Sequence, residues 1–159
     1  MASTLKVNTI QHTGGTTGLT IDSSGRILQP NKPAYHIYRK TGGGGTGVNG
    51  VVAWNTAKVN VGTMSNLSTG ITTIPVSGLY HLYVIGLSSS SSGGNMTGDM
   101  VIRIETSTDG GSSFSAQNTG FAHYVSGALG FIHVTASVTL DLTANTQVRN
   151  QITSGYCYI

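Results

Sequence analysis

Residues 69–85 read Thr69-Gly-Ile-Thr-Thr-Ile-Pro-Val-Ser-Gly-Leu-Tyr-His-Leu-Tyr-Val-Ile85, and both halves of this stretch are strand-like. Ile71 to Val76 is β-branched at nearly every position. Leu79 to Ile85 alternates large side chains, with Leu79, His81, Tyr83 and Ile85 on one face and Tyr80, Leu82 and Val84 on the other. Between the halves lies Pro75-Val-Ser-Gly78. Proline has no N–H for a ladder and glycine accepts a tight reversal, so this segment predicts a turn joining two antiparallel strands. The apolar content of both halves places the centre of the core here.

Working outward, short strand candidates recur between turn signals. Upstream are Ala34–Arg39, Val51–Trp54 and Lys58–Val61, with a glycine-rich loop from Gly42 to Gly50. Downstream, Ser88 to Gly94 is a low-complexity loop. Asp99 to Glu105 then alternates, with Met100, Ile102 and Ile104 inward and Asp99, Val101, Arg103 and Glu105 outward. Gly120–Ser126 and Phe131–Leu142 supply further strands. About ten strand candidates and no amphipathic helix predict an all-β sandwich.

The run Thr69-Gly-x-x-Thr-x-Pro-x-x-Gly-x-Tyr80 resembles the central signature of the C1q-like, or tumour-necrosis-factor-like, jelly roll. Ala57-Lys-Val-Asn-Val-Gly62 lies where that family has a Val-x-x-Asn strand. Val138 to Val148 is similar to its penultimate strand pair, and Ser154-Gly-Tyr-Cys-Tyr-Ile159 to its closing strand. The resemblance spans residues 33–159. It implies a single jelly-roll sandwich of about ten antiparallel strands and a homotrimer. No Gly-x-y collagen stalk precedes it and the connection before Ser154 is short, so the calcium sites and immune partners of some members are not carried over.

Residues 1–32 have a different character. Leu5–Ile10, Leu19–Ile21 and Arg26–Leu28 are short strand candidates separated by the turn clusters Gly14–Gly18 and Asp22–Gly25. Strands this short are marginal in water without neighbours, and other copies of the chain are the natural source. Leu19-Thr-Ile-Asp-Ser-Ser-Gly-Arg-Ile27 resembles the amino-terminal repeats of bacteriophage fibre and appendage proteins, especially those of marine phages. Pro30-Asn-Lys-Pro33 then marks a hinge, because paired prolines stop both helix and central strand.

The chain of 159 residues is long enough for one domain burying about 68–70% of its unfolded surface. Only 8% of residues are Asp, Glu, Lys or Arg, against about 25% in ordinary soluble proteins. Such a low charge content suits a protein that hides surface in an oligomer. The formal charge of +3 is dispersed, and a pI near 9.2 without a basic run gives nucleic-acid binding little footing. The amino terminus lacks the apolar block of a signal peptide, and no run approaches the roughly 20 apolar residues of a membrane helix. Synthesis in a host cytoplasm without membrane insertion is expected. Cys157 is the sole cysteine, which excludes an internal disulfide.

Chemistry-bearing residues are sparse. Ser107-Thr-Asp-Gly-Gly-Ser-Ser-Phe114 fits the Asp-box pattern of hairpin turns, in which Asp109 bonds its own backbone. His12, His36, His81, His123 and His133 form no zinc-binding spacing and read as partly buried strand histidines. A metal on a threefold axis would need only one histidine per chain, and that alternative stays open. Asp22, Asp99, Glu105, Asp109 and Asp141 form no pair near a nucleophile, so no catalytic residue and no cofactor is expected. Seven tyrosines exceed what one small core needs. Tyr35, Tyr80, Tyr83, Tyr156 and Tyr158 are the candidates for trimer contacts, since a ring with a polar hydroxyl suits an interface.

The resemblances together imply a bacteriophage virion protein. It would form a homotrimeric short fibre or knob joined to other virion proteins through residues 1–30, as a tail fibre tip, a head fibre or a capsid decoration. The expected mechanism is binding to a host surface polysaccharide or protein. Candidate exposed binding loops contain Gly43, Thr46, Asn49, Ser90, Asn95, Asp109 and Ser112, because loops vary freely on a rigid sandwich. The alternative is a free carbohydrate-binding lectin of the same fold.

Overall fold

A computed structural model describes residues 6–29, 31–39, 50–89, 98–124 and 131–154. Apart from a 3-10 turn at Val61–Thr63, the regular structure of these residues is entirely β. The strands are β1 Thr9–Gln11, β2 Thr17–Ile21, β3 Ile27–Leu28, β4 Tyr35–Tyr38, β5 Gly50–Val51, β6 Thr56–Asn60 and β7 Ser65–Asn66. They continue as β8 Ile71–Thr73, β9 Gly78–Ser89, β10 Gly98–Ser107, β11 Ser115–Tyr124, β12 Phe131–Leu142 and β13 Gln147–Ser154. β1, β2 and β3 form a separate antiparallel sheet. Among the described residues the jelly roll is built from β4 to β13: one sheet in the order β11-β10-β13-β8-β7 with β5 also on β13, and the pairs β12-β9 and β4-β6.

Alternation decides the core, because successive side chains of a strand leave on opposite faces. Leu82 and Val84 of β9, Met100, Ile102 and Ile104 of β10, Val134 and Ala136 of β12, and Val148 and Ile152 of β13 are all buried. Trp54 and Met64 complete the same cluster from the connections. Full burial of a side chain such as Ile102 contributes roughly 1.5–3 kcal/mol relative to exposure. Where β11 passes over β12, a Cβ on Gly120 would stand 2.1 Å from the Thr135 carbonyl oxygen. Only glycine permits that approach.

The hairpin predicted across Pro75–Gly78 does not form. β8 pairs with β7 and β13, whereas β9 pairs with β12. Ile74 donates its N–H to the Thr146 carbonyl at 2.9 Å and accepts from the Asn145 N–H at 2.8 Å. The chain then crosses to the other sheet, held by a 2.9 Å hydrogen bond from the Ala144 N–H to Ser77 Oγ. The signature residues serve this arch. Tyr80 Oη donates to the Val76 carbonyl at 2.8 Å. Gly70 has a φ of 71° and lies so close to Val52 that a Cβ would reach 2.0 Å from its carbonyl oxygen.

Two other expectations are corrected. The predicted strand over 51–54 shrinks to Gly50–Val51, although Val52 N–H still bonds the Asn150 carbonyl and Trp54 N–H the Leu67 carbonyl, each at 2.9 Å. The predicted strand over 120–126 begins earlier, at Ser115. The expected closing strand beyond Ser154 lies outside the described residues, as does Cys157.

Candidate functional site

β9 and β12 run side by side over their whole lengths, with Leu79 opposite Asp141, His81 opposite Thr139, Tyr83 opposite Ser137 and Ile85 opposite Thr135. This is the face that turns away from the core. Its β12 half is polar and short in side chain. Its β9 half leaves Leu79 76%, Tyr83 56% and Ile85 48% exposed. Large apolar side chains in a row on one strand form an exposed patch of the kind that marks an interaction surface. His81 sits within the row and shares a 3.0 Å hydrogen bond with Thr139 Oγ1.

A groove of about 810 Å³ continues this face toward the amino-terminal side of the jelly roll. Lys32, Pro33 and Tyr35 line one wall, and Val76, Leu79 and Tyr83 the other. Tyr35 is half-buried against the core; burial pushes its phenol above the ordinary value, and a hydrogen bond with Thr72 partly offsets this. Thr72 itself is buried, 2.8 Å from Ser65 Oγ.

Of the five candidate contact tyrosines, Tyr83 projects outward. Tyr35 and Tyr80 line the groove but pack partly into the core. Tyr156 and Tyr158 lie outside the described residues. Leu79 and Ile85 are additions to the surface that the tyrosine count missed. Their signal was the alternation of β9, whose two faces both read as apolar.

The described strand ends that border the loop candidates divide between the two ends of the sandwich. Ser89 pairs with Phe131, Gly98 with Tyr124, Val101 with Ser154 and Ile152 with Gly50, so the strand ends bordering residues 40–49 and 90–97 share one end. Gly43, Thr46, Asn49, Ser90 and Asn95 themselves lie outside the described residues. Asp109 and Ser112 belong to the β10–β11 turn at the opposite end, where Ser107 pairs with Gln147. That end also holds the Pro75–Gly78 arch and, across the groove, Lys32 and Pro33.

Asp109 holds its own turn. Its Oδ1 accepts from Ser107 Oγ at 2.6 Å and from the Ser113 N–H at 3.0 Å, and its Oδ2 accepts from Ser113 Oγ at 2.5 Å. These bonds, led by Ser107, hold its carboxyl well below the usual aspartate range. The Asp-box reading therefore stands as an architectural turn. Ser112 is exposed and donates its hydroxyl to the Asp109 carbonyl at 3.1 Å.

Glu105 corrects the sequence reading. It is buried, not outward. Arg149 Nε donates to its Oε2 at 2.8 Å, and the Gln151 amide, oriented with its nitrogen inward, donates to its Oε1 at 2.8 Å. The Arg149 guanidinium lies 3.8 Å from the centre of the Phe114 ring. An outward strand face is buried here because the β10–β11 turn brings Phe114 back over it. Asp99 of β10 meets His123 of β11 at 2.6 Å on the surface. His36, His81, His123 and His133 lie in strands as expected, but all four are exposed, not partly buried. Among the described residues, no three His, Cys, Asp or Glu side chains are grouped to hold a metal, and no helix is long and apolar enough to cross a membrane.

No protein-family model and no curated protein matches the sequence. Solved structures do match. The globular domain of zebrafish complement 1qA is 18% identical with a TM-score of 0.59, covering 79% of this chain and 92% of that one. The Eiger TNF of S. frugiperda is 12% identical with a TM-score of 0.64, over 79% and 82%. Murine APRIL is 14% identical with a TM-score of 0.57, over 76% and 82%. The fold is thus the C1q/TNF-like jelly roll.

Proposed function

We propose that this protein is a homotrimeric jelly-roll knob that acts by binding, carried on a bacteriophage particle. The observation that carries the trimer is the uncovered row Leu79, Tyr83 and Ile85 beside the groove. Covering three large apolar side chains per chain, at roughly 1.5–3 kcal/mol for each one fully buried, supplies a substantial driving force for association. A polar β12 half beside an apolar β9 half suits a close-packed symmetric contact with a polar rim. Tyr83 is the tyrosine best placed for that contact.

The particle assignment rests on the resemblance of residues 19–27 to phage appendage leaders. The geometry supports the same division of labour. The leader joins the jelly roll at the end that holds the Pro75–Gly78 arch, while the strand ends flanking residues 40–49 and 90–97 lie at the far end. A knob attached through its leader presents that far end outward. Three copies engaging a host surface polymer at once multiply weak contacts by effective concentration. The role is a tail fibre tip, a head fibre or a capsid decoration.

Light scattering of the full chain on a sizing column tests the assembly: a mass three times 16.4 kDa is expected, and a monomer overturns the trimer. Immunogold labelling tests the location, with label on heads or tails identifying the appendage. Absence from particles combined with glycan binding would instead identify a free lectin.

A further inference from the structure

The small sheet β1-β2-β3 gathers an apolar patch on one face, with Thr17 and Gln11 at its edge. Ile10 lies opposite Leu19, and Ile21 opposite Ile27. Directly paired residues of an antiparallel ladder project to the same side, and residues two apart in β2 share that side. Ile10, Leu19, Ile21 and Ile27 therefore form one patch across three strands. The opposite side carries Thr9, Thr20 and Leu28. The described residues leave much of the patch open: Ile10 is 53% and Ile27 64% exposed, Leu19 and Ile21 are partly exposed, and no residue from 6 to 29 is buried. Three strands of two to five residues cannot hold an isolated sheet in water by pairing alone.

We infer that the apolar face of Ile10, Leu19, Ile21 and Ile27 closes against the same face of two further copies, making a three-sided β stalk beneath the knob. This rests on the trimeric reading above. Three observations select identical copies as the occupant. The leader meets the jelly roll at Lys32 and Pro33, which line the same groove as Leu79 and Tyr83, so a trimer built on that face brings three leaders together. The connection is short: residues 29–34 reach about 20 Å when extended, and Asn31 Nδ2 ties it back to the Thr17 carbonyl at 2.7 Å. The patch itself is uncharged, and the adjacent Asp22 and Arg26 neutralise each other at 2.7 Å, so like copies do not repel. Tethering at millimolar effective concentration favours these neighbours over any free partner.

The test uses the full chain with Cys157→Ser, carrying either Ile27→Cys on the apolar patch or Thr20→Cys on the opposite face. Light scattering is run first, then mild oxidation and denaturing gels. In a trimer, Ile27→Cys is expected to form disulfide-linked dimers at least about tenfold faster than Thr20→Cys, independently of protein concentration, as an intramolecular reaction does. A trimer in which the two variants cross-link equally, or only as concentration rises, overturns the stalk and leaves the trimer standing. A monomer overturns the trimeric reading and the stalk with it. As a second readout on otherwise native protein, Ile10→Asp with Ile27→Asp should expose the leader to protease while the knob keeps its trimeric mass; unchanged protease resistance would also count against the stalk.

Discussion

Arg149 and Glu105 face each other across the β13–β10 ladder, Nε to Oε2 2.8 Å apart, beneath the ring of Phe114. The carboxylate is almost fully enclosed, with 5% of its side chain exposed, and each partner compensates the other's loss of water. Glu105→Ala leaves the guanidinium without its partner and is expected to cost about 3 kcal/mol of unfolding free energy. The double replacement Glu105→Leu with Arg149→Met removes both charges and should recover most of that loss. Urea unfolding of the native protein and the two variants measures the difference.

Asp109 gives a pH signature. Its folded carboxyl is held below the ordinary value of about 3.9, so its contribution to stability is complete above that value and is lost as pH falls through the depressed one. Asp109→Asn removes the titration and weakens the Ser113 hydroxyl bond. The stability gap between native protein and Asp109→Asn should therefore be equal at pH 7 and pH 5 and narrow only below about pH 4. Chemical unfolding at each pH reads the gap; one that closes between pH 7 and pH 5 contradicts the assignment.

Leu79 and Tyr83 are exposed in the protomer, so charging them should spare the fold and damage only the assembly. Leu79→Lys with Tyr83→Lys is expected to elute at one third of the native mass with an unchanged far-ultraviolet spectrum. A variant that keeps the native mass would place the subunit contact elsewhere.

Gly120→Ala sets a methyl group against the Thr135 carbonyl where β11 crosses β12. Both backbones belong to long ladders and cannot withdraw cheaply. A loss of about 2 kcal/mol or more is expected, since overpacking of this kind typically costs 1–3 kcal/mol. Thermal unfolding followed by circular dichroism provides the measure, and a neutral effect would argue against so close a crossing.

Much of the architecture was legible in local pattern. The alternation of Met100, Ile102 and Ile104 placed them inward, and all three are buried. The Asp-box spacing identified a turn, and Asp109 makes its bonds. Pairing was less legible: Pro75–Gly78 reads as a hairpin turn because each flanking strand has a buried face, yet those faces meet across the core instead of edge to edge. Glu105 was misplaced for a related reason. The period of two assigned it to the outer face correctly, but Phe114, nine residues away, covers that face.

Backbone rules and side-chain alternation act over a few residues, so the sequence by itself determined the all-β character, the Asp-box turn and the two faces of each strand. It could not choose between the faces of β9, since Leu79, Tyr83 and Ile85 are as apolar as Leu82 and Val84. Only the tertiary structure decided that. Burial is conferred by whatever packs from a distance: β10 and its neighbours cover Leu82 and Val84, while Leu79, Tyr83 and Ile85 remain exposed. The apolar patch of the leader has the same origin, because Ile10, Leu19, Ile21 and Ile27 become one surface only when three strands adopt one register.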